Sequence, residues 1–134
     1  MIEELILENY VHHLDGVQSG VSYYGSALSL ESETAIKHYF SFENELDVET
    51  LEITVDGKVV IPIKNGSYYE IKVPDIPSQK LGESYEVKVG GITLDYGVFS
   101  YGALIMKKDD SYVALKNTIK AMYTYNQAAI EYMK

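Results

Sequence analysis

Three turn dipeptides between positions 56 and 91 constrain this 134-residue chain more than anything else in it. Asp56-Gly57 separates Leu51-Glu52-Ile53-Thr54-Val55 from Lys58-Val59-Val60-Ile61-Pro62-Ile63. Asn65-Gly66 separates that second run from Tyr68-Tyr69-Glu70-Ile71-Lys72-Val73. Gly90-Gly91 then divides Tyr85-Glu86-Val87-Lys88-Val89 from Ile92-Thr93-Leu94-Asp95-Tyr96. Such dipeptides tolerate the positive φ angles of two-residue hairpin turns, with type I′ expected at the first two. Consecutive runs joined this way form antiparallel sheet.

Alternation within the runs predicts which side meets the core. Leu51, Ile53 and Val55 are expected on one inner face, with Glu52 and Thr54 opposite. Val59, Ile61 and Ile63 are expected inside as well, as are Tyr69, Ile71 and Val73, and Tyr85, Val87 and Val89. Pro62 then falls on a polar-face position, which marks its strand as an edge or bulge. Upstream, Ala27 to Glu31 and Thr34 to Phe42 read as strands, the second with Ile36, His38, Phe40 and Phe42 inward. Residues 2–11 are expected to add a further strand, and the proline-bearing stretch 74–83 is a loop.

The pattern changes after Tyr96. Phe99 to Lys107 reads as a short helix, and Asp109-Asp110-Ser111 supplies N-cap chemistry for a longer one. Tyr112, Leu115, Ile119, Met122, Asn126, Ala129 and Met133 recur at alternating intervals of three and four, an apolar helical seam interrupted only by Asn126. The expected architecture is α+β and mainly β: an antiparallel, sandwich-like sheet with a long C-terminal helix packed on it. It is read as a single domain over 1–134, with a lead-in at 1–23, a β region at 24–96 and a helical region at 98–133.

Composition narrows the function. Lysine supplies all eleven cationic side chains against twenty Asp and Glu, for a net charge of −9. With no arginine and no basic patch, a nucleic-acid partner is not expected, and the negative field opposes anionic membrane surfaces. No apolar run is long enough for membrane insertion. Zero Cys excludes disulfides, thiol catalysis and cysteine-ligated zinc. The acidic start Met1-Ile2-Glu3-Glu4 does not resemble a signal peptide.

Few residues suggest chemistry. His12 and His13 would point to opposite faces of a strand, and His38, between Ile36 and Phe40, reads as a hydrogen-bonded core residue. Glu43, Glu45, Asp47 and Glu49 would share one side of an extended segment, where carboxylates could bind calcium. The sharp-turn glycine of a calcium-binding loop is missing there, so a solvated acidic loop is the alternative reading. No nucleophile elbow or phosphate-cradling loop is present, and no cofactor is expected. Asn65-Gly66-Ser67 matches a glycosylation acceptor but is explained by the turn. Tyrosine is overrepresented, at thirteen residues against three Phe and no Trp. In the pairs Tyr23-Tyr24 and Tyr68-Tyr69 one ring should face in and one out. Tyr23, Tyr39 and Tyr68 are the candidate ligand contacts, since a half-wet ring suits protein and sugar surfaces.

From Tyr24-Gly25-Ser26-Ala27-Leu28-Ser29-Leu30-Glu31-Ser32-Glu33-Thr34, through His38-Tyr39-Phe40 and Leu81-Gly82-Glu83-Ser84-Tyr85 to Leu115–Ala129, the chain resembles a known module. That module closes large secreted and cell-surface proteins of gut clostridia and related Firmicutes, and the resemblance spans residues 24–133. It implies an immunoglobulin-like sandwich finished by a helix, at the cell surface or outside the cell, with no catalytic motif to carry over. A fragment cut from a longer precursor would explain the start without a signal peptide. The expected function is therefore a non-catalytic structural or adhesive module that contacts proteins or presents neighbouring domains. A carbohydrate-binding module using exposed tyrosines is the alternative, and a small carboxylate-dependent hydrolase the second alternative.

Overall fold

The computed structural model describes residues 10–30 and 33–132. Two antiparallel sheets pack together and a long helix follows them, an α+β architecture that is mainly β. The five-stranded sheet runs β1 (His13–Asp15), β9 (Ile92–Tyr96), β8 (Tyr85–Val89), β4 (Ile53–Val55), β5 (Lys58–Val59). The four-stranded sheet runs β2 (Val21–Ser29), β3 (Ala35–Phe42), β7 (Tyr68–Val73), β6 (Ile63–Asn65). The helices are α1 (Asp47–Thr50), α2 (Val98–Met106) and α3 (Val113–Tyr132). Among the described residues no helix is long and apolar enough to cross a membrane.

All three hairpins form. At the first, Val55 pairs with Lys58, and Asp56 (φ 49°) and Gly57 (φ 82°) take the type I′ signs. At the second, Asn65 pairs with Tyr68, so the central residues are Gly66 and Ser67, one position later than expected. Only Gly66 has positive φ there, 64°, the pattern of a type II′ turn. Gly90, at φ 56°, opens the third turn in the same way.

The core lies between the sheets. Ile36, His38, Phe40, Ile71 and Val73 enter it from one side, and Ile53, Val87, Val89, Ile92, Leu94 and Tyr96 from the other. Each fully buried aliphatic contributes about 1.5–3 kcal/mol relative to exposure. Several strand limits differ from the alternation reading. The strand expected at Ala27 begins at Val21, and the one expected at Leu51 begins at Ile53. Of the strand expected over 2–11, residues 2–9 lie outside the described residues, and Tyr10 and Val11 are not strand. The edge strand on that side is β1, paired with β9.

One set of expected core residues faces solvent. Val59, Ile61 and Ile63 are 80%, 86% and 61% exposed, while Val60 packs on the core and Pro62 is buried. The turns dictate this. A two-residue turn that pairs Val55 with Lys58 pairs Thr54 with Val59, so Val59 joins Thr54 and Lys88 on the outer face. The next turn pairs Ile63 with Glu70 and Lys64 with Tyr69, which again turns the odd-numbered residues outward. Between them, Val60 to Pro62 carries the chain from the edge of one sheet to the edge of the other. Pro62, with no N–H to donate, sits in that crossing rather than in a ladder.

After β9 the chain turns into α2, where the Ser100 hydroxyl accepts from the Gly97 N–H at 3.0 Å. Asp109 Oδ1 accepts from the Ser111 N–H at 3.0 Å and from the Ser111 hydroxyl, capping a short turn at Asp110–Tyr112 that leads into α3. On α3 the buried seam residues are Ile119, Met122 and Asn126. Leu115 and Ala129 are half-buried, Tyr112 is exposed, and Met133 lies outside the described residues. The nearest neighbours of the seam are α2 and the turn Ser78–Lys80. Ile119 and Met122 join the same hydrophobic cluster as the sheets, and Tyr123 packs on Phe99 with ring centres 5.4 Å apart.

Candidate functional site

Val59 and Ile61 line a cleft of about 610 Å³ at the edge of the sandwich, where the chain crosses from one sheet to the other. Its floor is aliphatic and aromatic, including Val48, Leu51, Val60, Pro62 and Tyr69. Glu45, Glu49 and Lys64 also line it. Lys64 Nζ lies 2.9 Å from Glu45 Oε1, with both side chains more than half exposed, and the carboxylate holds the ammonium pKa above its usual value. Asn44 positions this wall: its Oδ1 accepts from the Leu46 N–H at 3.0 Å, an Asx turn that leads into α1. Leu46, 66% exposed, adds a fourth solvent-facing aliphatic nearby in sequence.

The acidic run does not keep the alternation expected of it. Asp47–Thr50 coils into a helical turn, so Glu43, Glu45, Asp47 and Glu49 do not line up as they would on an extended segment. Among the described residues, no three His, Asp or Glu side chains are grouped to hold a metal ion.

The tyrosines divide between core and surface. Tyr23 turns inward, its ring 5.3 Å from Phe40 and its hydroxyl 2.5 Å from Ser26 Oγ, so it does not offer a platform. A bulge in β2 between Tyr23 and Gly25 turns its neighbour Tyr24 outward, 67% exposed. Tyr24 stacks on Tyr68 with ring centres 4.2 Å apart, bridging β2 and β7 on either side of β3. Tyr39 is on the same outer face and donates to Glu70 Oε1 at 3.3 Å. Of the three candidates, Tyr39 and Tyr68 share the outer face with Tyr24, and Tyr23 turns inward. Gly25 is the available signal for the bulge.

Two of the three histidines, His12 and His38, pack against Tyr96. His38 is fully buried, its Nδ1 2.5 Å from Ser26 Oγ and its ring edge-on to Tyr96 at 5.1 Å. His12 lies over Tyr96 at 5.2 Å. Burial, and secondarily His12, pushes the His38 pKa down to about 3. Tyr23, Ser26 and His38 form a polar network inside the core, while the buried Tyr96 hydroxyl, its pKa raised by burial, and His38 Nε2 have no hydrogen-bond partner.

Comparison with protein-family models, curated proteins and solved structures finds no match to this chain.

Proposed function

We propose that this chain is a non-catalytic structural or adhesive module of a bacterial cell-surface or secreted protein, working through protein contact at the β5–β6 edge. One observation carries the reading: Val59 and Ile61 stand in solvent in the lining of a largely aliphatic cleft, with Ile63 exposed nearby in the chain. Leaving aliphatic side chains in water forgoes about 1.5–3 kcal/mol apiece relative to burying them. A partner surface that covers them recovers that energy. The sandwich supplies a rigid frame for such an edge, and the resemblance of residues 24–133 to immunoglobulin-like end modules supports the surface location.

The test compares capture of surface-protein extract from Gram-positive gut bacteria by the wild-type domain and by a Val59→Ser, Ile61→Ser, Ile63→Ser variant. Any recovered protein is then purified and its binding to both forms measured. The reading expects binding to the wild type and at least about tenfold weaker binding to the variant. Equal binding to both would refute it.

A second reading rests on a separate observation. Tyr24, Tyr39 and Tyr68 share the outer face of the four-stranded sheet, where aromatic rings could stack on sugars. The Tyr24–Tyr68 stack already covers one face of each ring, which favours the protein-contact reading. Amide NMR titration with pooled soluble glycans tests it: shifts confined to Tyr24, Tyr39, Tyr68 and their strand neighbours would favour sugar binding.

A further inference from the structure

We propose that His12 is an acid-released latch: when it is protonated, residues 10–15 leave the sandwich by turning about Gly16, and β9 becomes the edge of its sheet. The latch stands apart from the contact surface at the β5–β6 edge and does not depend on it.

Little holds this segment. β1 meets β9 through three residue pairs, His13 with Asp95, Leu14 with Leu94 and Asp15 with Thr93, and all three β1 side chains are exposed. Beyond that ladder two rings dock it: Tyr10 stands edge-on to Phe99 at 5.2 Å, and His12 lies over Tyr96 at 5.2 Å. A short ladder with little buried apolar surface belongs to the low end of local stability.

The chain just downstream is fixed. Gln18 Oε1 accepts from the Gly91 N–H at 2.9 Å, so the residues after Gly16 are tied to the β8–β9 turn. Gly16 itself has φ 80°. The boundary between the loosely held segment and the anchored one therefore falls at a glycine, the residue that most easily absorbs a change of backbone direction.

His12 decides whether the segment stays. Its Nδ1 is buried and has no hydrogen-bond partner in the protein. The titratable groups facing the ring are Tyr23 on β2, His38 on β3, Tyr96 on β9 and His13 beside it. Asp95, opposite His13 in the ladder, lies on the outer side of β9, because its neighbours Leu94 and Tyr96 are both buried. A neutral imidazole suits such a setting. An imidazolium puts a proton on the buried nitrogen with no anion to answer it. Burial, and then His13, lowers the His12 pKa from its ordinary 6.5. Once released into water the ring regains that value, so protons favour the released form. The docked form is complete above about pH 6.5 and weakens as the pH falls.

Amide hydrogen exchange of the whole chain, followed by NMR from about pH 7 to about pH 5.5, tests the latch, with each rate divided by the intrinsic rate at that pH. Protection of the amides that close the β1–β9 ladder should fall about tenfold. The amide shifts of β3 and β7 should stay native throughout. His12→Phe, which keeps a ring against Tyr96, and His12→Gln, which keeps a neutral polar group, should each abolish the fall in the β1–β9 ladder. Any fall along the β3–β7 ladder, which reports the whole fold and His38, should persist in both variants. Four results would overturn the proposal. They are a constant β1–β9 protection in the wild type, a fall that survives in both variants, ladder amides already unprotected at pH 7, and a gain of protection in acid. The last would mean that charged His12 finds an acceptor inside, at the Tyr96 hydroxyl or His38 Nε2.

Discussion

Asn126 Nδ2 donates to the backbone carbonyl of Ser78 at 2.7 Å, which ties the C-terminal helix to the loop between β7 and β8. This accounts for the one polar residue in the α3 seam. Asn126 is buried, and its amide satisfies a carbonyl that the helix would otherwise cover. Asn126→Leu keeps an apolar seam but leaves the Ser78 oxygen without its donor. It should cost about 1–3 kcal/mol in urea unfolding, despite the more hydrophobic side chain. An equal or higher unfolding midpoint would mean that the bond contributes nothing.

Acid should destabilise the fold earlier than carboxylates alone would. His38 titrates near 6.5 when unfolded and at about 3 when folded. Because the folded value is depressed, its contribution is complete above pH 6.5 and is lost progressively between 6.5 and 3. The slope reaches about 1.4 kcal/mol per pH unit. His12, lowered by burial and then by His13, acts in the same direction. Glu33, whose carboxyl is held low by its hydrogen bonds to Asp75 and Lys72, adds its loss only below about pH 4.5. Stability measured by urea from pH 7 to pH 5 should therefore fall, and His38→Gln should flatten part of that fall. A wild-type profile flat over this range would contradict the burial of neutral His38.

The turns make a graded prediction. Gly57 has φ 82° with open space where a Cβ would sit, so Gly57→Ala costs only its backbone strain, about 1 kcal/mol. Gly16 has φ 80°, and a Cβ there would lie 2.1 Å from the Gly91 carbonyl oxygen. Gly16→Ala should therefore lower the thermal midpoint distinctly more than Gly57→Ala. The reverse order would refute the approach of the Gly16 backbone to the β8–β9 turn.

The helical seam makes another. Ile119 is fully buried, whereas Leu115 is half-buried near the start of α3. Ile119→Asp should unfold the domain, since a carboxylate there would be desolvated without a partner. Leu115→Asp should leave a dispersed amide spectrum and a reduced unfolding midpoint. If both variants stay folded and change only their oligomeric state, the seam faces another chain.

Much of this architecture is legible in the residues themselves. The turn dipeptides mark all three hairpins, and the spacing of Ile119, Met122 and Asn126 marks the helix. The outward placement of Val59 is legible too, but only when turn and alternation are read together. Alternation alone sends Val59, Ile61 and Ile63 inward. A two-residue turn after Val55 reverses that assignment for Val59. Other features depend on distant partners and leave little local trace. The β2 bulge that exchanges Tyr24 for Tyr23 shows only as Gly25, and the pairing of His13–Asp15 with β9 joins segments about eighty residues apart.

The central claim is that the β5–β6 edge is a contact surface, and site-specific photo-crosslinking tests it most directly. A photoreactive phenylalanine analogue would replace Ile61 in cells that make the protein, with the same analogue at Lys37 on the outer face of β3 as the control. The account predicts a discrete protein adduct from position 61 that is absent from position 37. Adducts from position 37 alone, or none from position 61 while the protein is folded and in place, would contradict it.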